Sequence, residues 1–340
     1  MRRREFVTLL GSAAAFRPLA VRAQQKVPMR HIGILLYAKQ EKATIDPVLR
    51  GLEQLGYTDG KNVIIEYRDA DGQYDRLQEA ADDLVRLKPN VIFSLGGEPA
   101  PFVKNATATI PIVVVVSNDP VESGLVKSLG RPGGNITGLT YIHDMLAGKS
   151  VELLKEVMPQ VSRVAILWNP NHADPEFRET QRASGALGVR LQSLEVREPR
   201  DFDSGFQAAL RERAEALIVI GSRLIFLNRT RIGDFADKNQ LVLVGVPSWL
   251  IDAGALLTYG PNVPDLFRRA STYIDKILKG ARPSDLPMQQ PTTFELIINQ
   301  KTAKKLVSAF GTKRTSRRAQ SMSAFGGKAD IGRRCLDVCF

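Results

Sequence analysis

The 340-residue chain predicts an α/β protein of two similar doubly wound lobes. Short apolar runs rich in Val and Ile alternate with amphipathic stretches of helical length, and the alternation occurs twice in succession. One run, IVVVV at 112–116, is continuously β-branched, as a strand covered on both faces requires.

The first series places strands at 31–37, 62–67, 91–95, 112–116 and 135–139, with helices near 44–56, 75–87, 100–108 and 121–129. Strands separated by such helices need right-handed crossovers, so the sheet is largely parallel. A second series follows, with strands at 163–168, 189–196, 216–220 and 241–245 and helices between. Beyond Asp252 come a strand at 255–260, a helix near 264–279, a Pro-rich passage and a strand at 294–299. These pieces are too few for a third domain and must be added to the first two lobes.

Composition sets the class. Apolar residues at 44% and charged residues at 24% are those of a soluble globular protein. A net charge of +11 would suggest a nucleic-acid partner, but residues 1–23 carry +4 and 301–340 carry +8, leaving −1 for 24–300. The body is neutral, and no nucleic-acid partner is expected. Residues 1–23 open with Arg2, Arg3 and Arg4, continue through an apolar run and reach Val21-Arg22-Ala23, the pattern of an export signal cleaved after Ala23. The paired arginines before Glu5-Phe6 look like a twin-arginine signal. With no later membrane span, the expected product is soluble and periplasmic. The segment 308–340 has no helical or strand period and is read as an atypical basic, disordered tail; it holds both cysteines, Cys335 and Cys339. Two thiols without a nearby His make a weak metal site, and none is expected.

In open α/β sheets ligands bind beyond the carboxyl ends of strands. The loops there are Tyr37-Ala38-Lys39, Gly96-Gly97-Glu98-Pro99 and Ser117-Asn118-Asp119-Pro120 in the first series, then Trp168-Asn169-Pro170-Asn171-His172, Gly221-Ser222-Arg223 and Pro247-Ser248-Trp249 in the second. Small, amide, hydroxyl and aromatic residues suit a small polar ligand held between aromatic walls. Each loop also reads as a turn or cap, Asp119 above all. Enzyme signatures are missing: the turn after the first strand, YAKQEKA, has no G-x-G-x-x-G, and neither a phosphate-binding G-x-x-x-x-G-K-[ST] nor a G-x-S-x-G elbow occurs. Of the three histidines, His31, His143 and His172, only His172 sits in such a loop, where a helix-start role on the surface also accounts for it. No catalytic residue or cofactor is expected.

The stretches DPVESGLVKSLGRPGGNITGLTY, KSVELLKEVMPQVSRVAILWNP, AGALLTYGPN, YIDKILKGARPSDLP and PTTFELIINQKTAK resemble, in order, the ABC transporter substrate-binding family related to tryptophan/tyrosine uptake components. The resemblance implies a type I periplasmic binding-protein fold, two lobes joined by three crossing segments, with no catalytic activity. On that plan lobe one is 28–142 plus 256–284, and lobe two is 143–255 plus 290–307. It implies closure on an amino acid or related metabolite held by Tyr37, Gly97, Glu98, Asn118 and Asp119 from one side and Asn169, Asn171, Ser222 and Trp249 from the other, with Tyr141 near the hinge. Implied partners are ABC permease and ATPase subunits, with the protein itself a monomer outside the membrane. A sensory module feeding a receptor is the alternative, and a two-lobed transferase-like enzyme a more distant one. Two departures stand out: the basic tail, where members end in a short acidic stretch, and Glu98, where many have a hydroxyl residue. A buried carboxylate there needs a cationic partner or a proton, and a ligand ammonium is the expected partner.

Overall fold

The computed structural model describes residues 29–117, 119–141, 144–172, 176–310 and 331–334. The expected export signal with its cleavage after Ala23, His143 and both cysteines lie outside the described residues.

The first lobe is a parallel sheet of β1 (Arg30–Leu36), β2 (Val63–Asp69), β3 (Val91–Leu95), β4 (Ile112–Val116) and β5 (Ile136–Thr140), in the order β2-β1-β3-β4-β5. The connecting helices are α1 (Asp46–Gln54), α2 (Leu77–Arg86) and α3 (Ala100–Ala106). The β-branched run expected to be covered twice is: Val113 and Val115 belong to one core, Ile112, Val114 and Val116 to the other. Each such burial contributes about 1.5–3 kcal/mol relative to exposure.

The second lobe repeats the order. Its strands β6 (Arg163–Trp168), β7 (Arg190–Glu195), β8 (Ala216–Val219), β9 (Val242–Gly245) and β10 (Leu257–Pro261) run β7-β6-β8-β9-β10. Its helices are α4 (Asp144–Val157), α5 (Glu176–Ala186), α6 (Asp201–Arg211), α7 (Arg223–Leu227) and α8 (Arg229–Lys238). The sequence plan gave 256–284 to lobe one, but Leu257 and Thr258 pair in parallel with Val244 and Gly245, so β10 is the fifth strand of lobe two, as β5 is of lobe one. Only after Asn262 does the chain return. There α9 (Val263–Leu278) lays Leu266, Phe267, Ala270 and Ile274 against Val48 and Leu52 of α1. The Asn262 side chain caps α9 by accepting from the Asp265 N–H at 2.9 Å. Its amide donates to Glu295 at 3.2 Å, tying this crossing to the next.

The chain then stays with the first lobe as far as Gln289, whose N–H and carbonyl bond Gly138 and Thr140 of β5. Crossing again, it forms β11 (Phe294–Ile298), antiparallel to β10, and α10 (Gln300–Phe310), whose Ala303 and Leu306 cover the second sheet. Two described parts of the segment 308–340, expected to be a disordered tail, are regular: α10 runs to Phe310, and β12 (Ile331–Arg334) pairs in parallel with β11. Without β12 the outer edge of β11 would present an unpaired row of backbone donors and acceptors, which an extended segment satisfies.

One predicted helix does not form. Residues 121–129 make turns, because Asp119 Oδ1 accepts the N–H groups of Val121 and Glu122 while Val126 donates to the Pro120 carbonyl, closing the backbone locally.

Gly138 in β5 has φ +144°, and a Cβ there would lie 2.0 Å from the Val114 carbonyl oxygen. Gly138→Ala should therefore cost about 3 kcal/mol in urea unfolding or abolish folding. Gly134→Ala, with nothing within 4 Å of the added carbon, should change stability by less than about 0.5 kcal/mol.

Glu215 tests the electrostatics of the second lobe. Burial raises its pKa, yet the N–H groups of Ser162 and Arg163 at 2.7 and 3.1 Å, with the Arg163 guanidinium, outweigh it and hold the carboxyl below the ordinary range. A depressed carboxyl pKa stabilises the fold above the unfolded value of 4.5, and this contribution fades as pH falls through the folded value. Glu215→Gln should lose about 1 kcal/mol at neutral pH, discounted for partial exposure, and flatten the acid limb of the stability curve. Parallel curves for the two proteins would contradict this role.

Candidate functional site

Residues following β3, β4 and β5 in one lobe meet those following β8 and β9 in the other around a cavity of about 20 Å³. Glu98, Ser117 and Tyr141 come from the first lobe. Ser222, Arg223, Pro247 and Trp249 come from the second, joined by Glu176 at the start of α5 and Val263 at the start of α9. That volume is roughly one water molecule. The cleft is closed and filled by side chains.

Glu98 leaves the turn between β3 and α3 and is 3% exposed. Its Oε1 accepts the backbone N–H of Arg223 at 2.7 Å, and its Oε2 lies 3.6 Å from Nε2 of His172, both across the cleft. In the closed form protein groups from the opposite lobe, the Arg223 N–H and the His172 ring, already meet the Glu98 carboxyl group. His172 Nε2 is also 2.9 Å from the Ser117 Oγ. The loop after β6 explains this aim. Asn169 Oδ1 accepts from the Asn171 N–H at 2.9 Å and its carbonyl from the His172 N–H at 3.0 Å, an Asx turn that leaves Asn171 exposed and His172 buried.

Arg223 is the cationic side chain that lines the cavity. Ser222 caps the short helix α7 by accepting from the Ile225 N–H at 3.3 Å, and Arg223 begins it. The guanidinium sits 5.0 Å from the Phe226 ring centroid, and its Nη1 is 3.3 Å from Glu41 Oε1 in the first lobe. A Cβ on Gly96 would lie 3.2 Å from the Arg223 Cγ and Cδ, so the first lobe leaves room for this stem only because residue 96 is glycine. Glu41 is completely buried, with Oε2 accepting the N–H groups of Tyr37 and Ala38 at 2.8 and 3.3 Å. Burial lifts the Glu41 pKa against the pull of Arg223 and those amides. Burial also works to lower the Arg223 pKa, but Glu41, Tyr141 and Glu98 more than offset it and keep the guanidinium charged. The Tyr141 phenol is pushed up by its burial.

Of the residues expected at the site, Glu98, Tyr141, Ser222 and Trp249 meet at the cavity. Tyr37 and Gly97 are buried in the first lobe beside it. Tyr37 packs with Ala38, Ala70 and Leu77, and its phenol pKa is raised by burial with help from Glu98 and Glu41. Asn169 shapes a turn and does not line the cavity; exposed Asn171 and the turn-capping Asp119 do not line it either. Asn118 lies outside the described residues. Sequence reasoning missed Ser117, His172 and Arg223, all in the post-strand loops it inspected, and also Glu41 and Glu176, for which no sequence signal pointed inward. Among the described residues no cluster of three or more His, Cys, Asp or Glu is placed to hold a metal ion.

A family model for the ABC transporter substrate binding protein matches residues 35–313. The chain belongs to the ABC transporter substrate-binding protein family. A curated relative, the tyrosine-binding protein of Clostridioides difficile (strain R20291), is 27% identical over 261 residues, 76% of this chain and 74% of that one. A solved conserved domain protein of Vibrio cholerae O1 biovar El Tor superposes with a TM-score of 0.76 at 26% identity, covering 82% of this chain and 94% of that one. The ABC domain of Streptococcus pneumoniae, solved in complex with L-Trp, gives a TM-score of 0.75 at 22% identity over the same shares, a likeness of fold. This substrate-binding protein therefore has the type I periplasmic binding-protein fold. No helix among its described residues is long and apolar enough to cross a membrane.

Glu98→Ala deprives the Arg223 N–H of its acceptor and should cost the closed arrangement about 1–3 kcal/mol. The expected outcome is a larger radius of gyration by small-angle scattering in the absence of added ligand. An unchanged profile would show that closure does not depend on Glu98.

Proposed function

We propose that this protein is the exported solute-binding component of an ABC importer, capturing a small polar ligand, an amino acid or related metabolite, between its lobes. The observation that carries this reading is the cavity walled from both sides, with carboxyl, guanidinium and aromatic groups converging on it: Glu98 and Tyr141 from one lobe, Arg223 and Trp249 from the other. Family membership and the tyrosine-binding relative support it. The cavity is too small for an amino acid as it stands, so the ligand enters an open form and closure follows around it. A ligand touching both lobes favours the closed state by its differential affinity, with rotation at the crossings after Tyr141, at Asn262 and near 290–293. The closed protein would then be the form read by permease and ATPase subunits. The protein acts as a monomer in the periplasm after loss of its signal, and it catalyses nothing.

A screen of the purified protein by differential scanning fluorimetry against amino acids and related metabolites should give a raised melting temperature with no consumption of the compound. At a ligand concentration 100-fold above Kd the stabilisation is about 2.7 kcal/mol. Consumption of a substrate with no thermal shift from any compound would refute the binding role. Glu98→Gln should weaken an ammonium-bearing ligand by about 10-fold or more, read by titration calorimetry.

A further inference from the structure

Arg223 is 6% exposed and lines the cavity between the lobes. A guanidinium carries five N–H donors in a planar fork. The one polar side-chain contact it makes among the described residues is the 3.3 Å approach of Nη1 to Glu41 Oε1, and neither of those two atoms completes a hydrogen bond. Glu41 spends its other oxygen on two backbone amides. The site thus holds a buried, charged, planar donor group whose Nη1 has only the imperfect 3.3 Å approach to Glu41, a costly arrangement unless a better acceptor joins it. The acceptor that matches a planar fork is a carboxylate, bound through two parallel bonds.

The rest of the cavity restricts what the carboxylate belongs to. Glu98 faces the same space and offers carboxyl oxygens to a cation. A ligand with a carboxylate alone would bring a second carboxyl group beside it; a ligand with an ammonium alone would leave Arg223 without its acceptor. Between the charged groups stand Trp249, Tyr141, Pro247 and Val263, a wall for an apolar or aromatic body.

We infer that Arg223 anchors the carboxylate of an amino-acid ligand, with Glu41 as its positioning residue, so that the cleft selects amino carboxylates over amines and over simple acids. This rests on the reading of the cleft as the ligand site. Arg223 rides on the second lobe and Glu41 on the first, so the fork is oriented only when the lobes are together. Binding of the carboxylate and closure are therefore one coupled event.

The test uses the full chain and the twenty amino acids as probes. The amino acid giving the largest thermal shift is compared by calorimetry with the amine lacking its carboxylate and the acid lacking its ammonium, for example tyrosine with tyramine and 3-(4-hydroxyphenyl)propionate. The expected result is that both analogues bind about 100-fold more weakly or worse. Arg223→Lys, which cannot offer the fork, should weaken the amino acid by about 100-fold while leaving the amine unchanged. Glu41→Gln, which leaves Arg223 in place, should weaken the amino acid by about 10-fold and spare the amine, and it carries the test should Arg223→Lys fail to fold. Equal weakening of amino acid and amine by either variant, or an analogue as tight as the amino acid, overturns the inference. Binding of another ligand class with no amino acid overturns it too while leaving the cleft a ligand site. No binding of any compound overturns both.

Discussion

Arg223 begins on the second lobe and ends in the first, and the closed form of this protein depends on that crossing. Its backbone N–H reaches Glu98, its guanidinium faces Glu41, and Gly96 clears the way for its stem. Buried ion pairs gain little net stability because desolvation offsets attraction. What such a pair does well is specify geometry. The carboxyl groups of the first lobe and the guanidinium of the second are each buried by the opposite lobe, so their geometry ties the lobes to one arrangement.

Other contacts across the cleft are weaker or less enclosed. Arg178 and Glu122 pair at 2.8 Å on the rim, but both are more than half exposed, and a pair so open to water contributes little. Ser117 and His172 add an interior hydrogen bond. Rigidity of the lobes themselves comes from their sheets, each covered on two faces. The crossings are held by backbone bonds of Gln289 to β5 and by the side chain of Asn262, which serves α9 and Glu295 at once.

Much of the fold was legible in the sequence because buried parallel strands have a local signature. Continuous β-branched runs such as 112–116, spaced by amphipathic stretches, leave few alternatives. The misplacements are equally physical. The strand at 257–261 looks alike whichever sheet it joins; its assignment is settled by pairing with Val244 and Gly245, a contact no local pattern encodes. Residues 121–129 have helical composition, yet Asp119 bonds the backbone ahead of them and turns the chain. The short pairing of Ile331–Arg334 occupies the edge of β11 opposite β10, which would otherwise be unpaired.

At the site, position in a post-strand loop was enough to find Glu98, Ser222 and Trp249, since strand ends converge by topology alone, whereas Tyr141 was expected from its place near the hinge. The same reasoning favoured Asn171 over its neighbour His172, because residue type does not say which way an Asx turn faces. Glu41 had no signal, being a carboxylate in a polar turn until Arg223 arrives from 182 residues further along the chain. The sequence by itself determined two α/β lobes, their strand order of appearance and the loops that could meet. Only the tertiary structure decided which charges share one enclosed space, because burial and charge partnership are properties of two lobes brought together and are carried by neither alone.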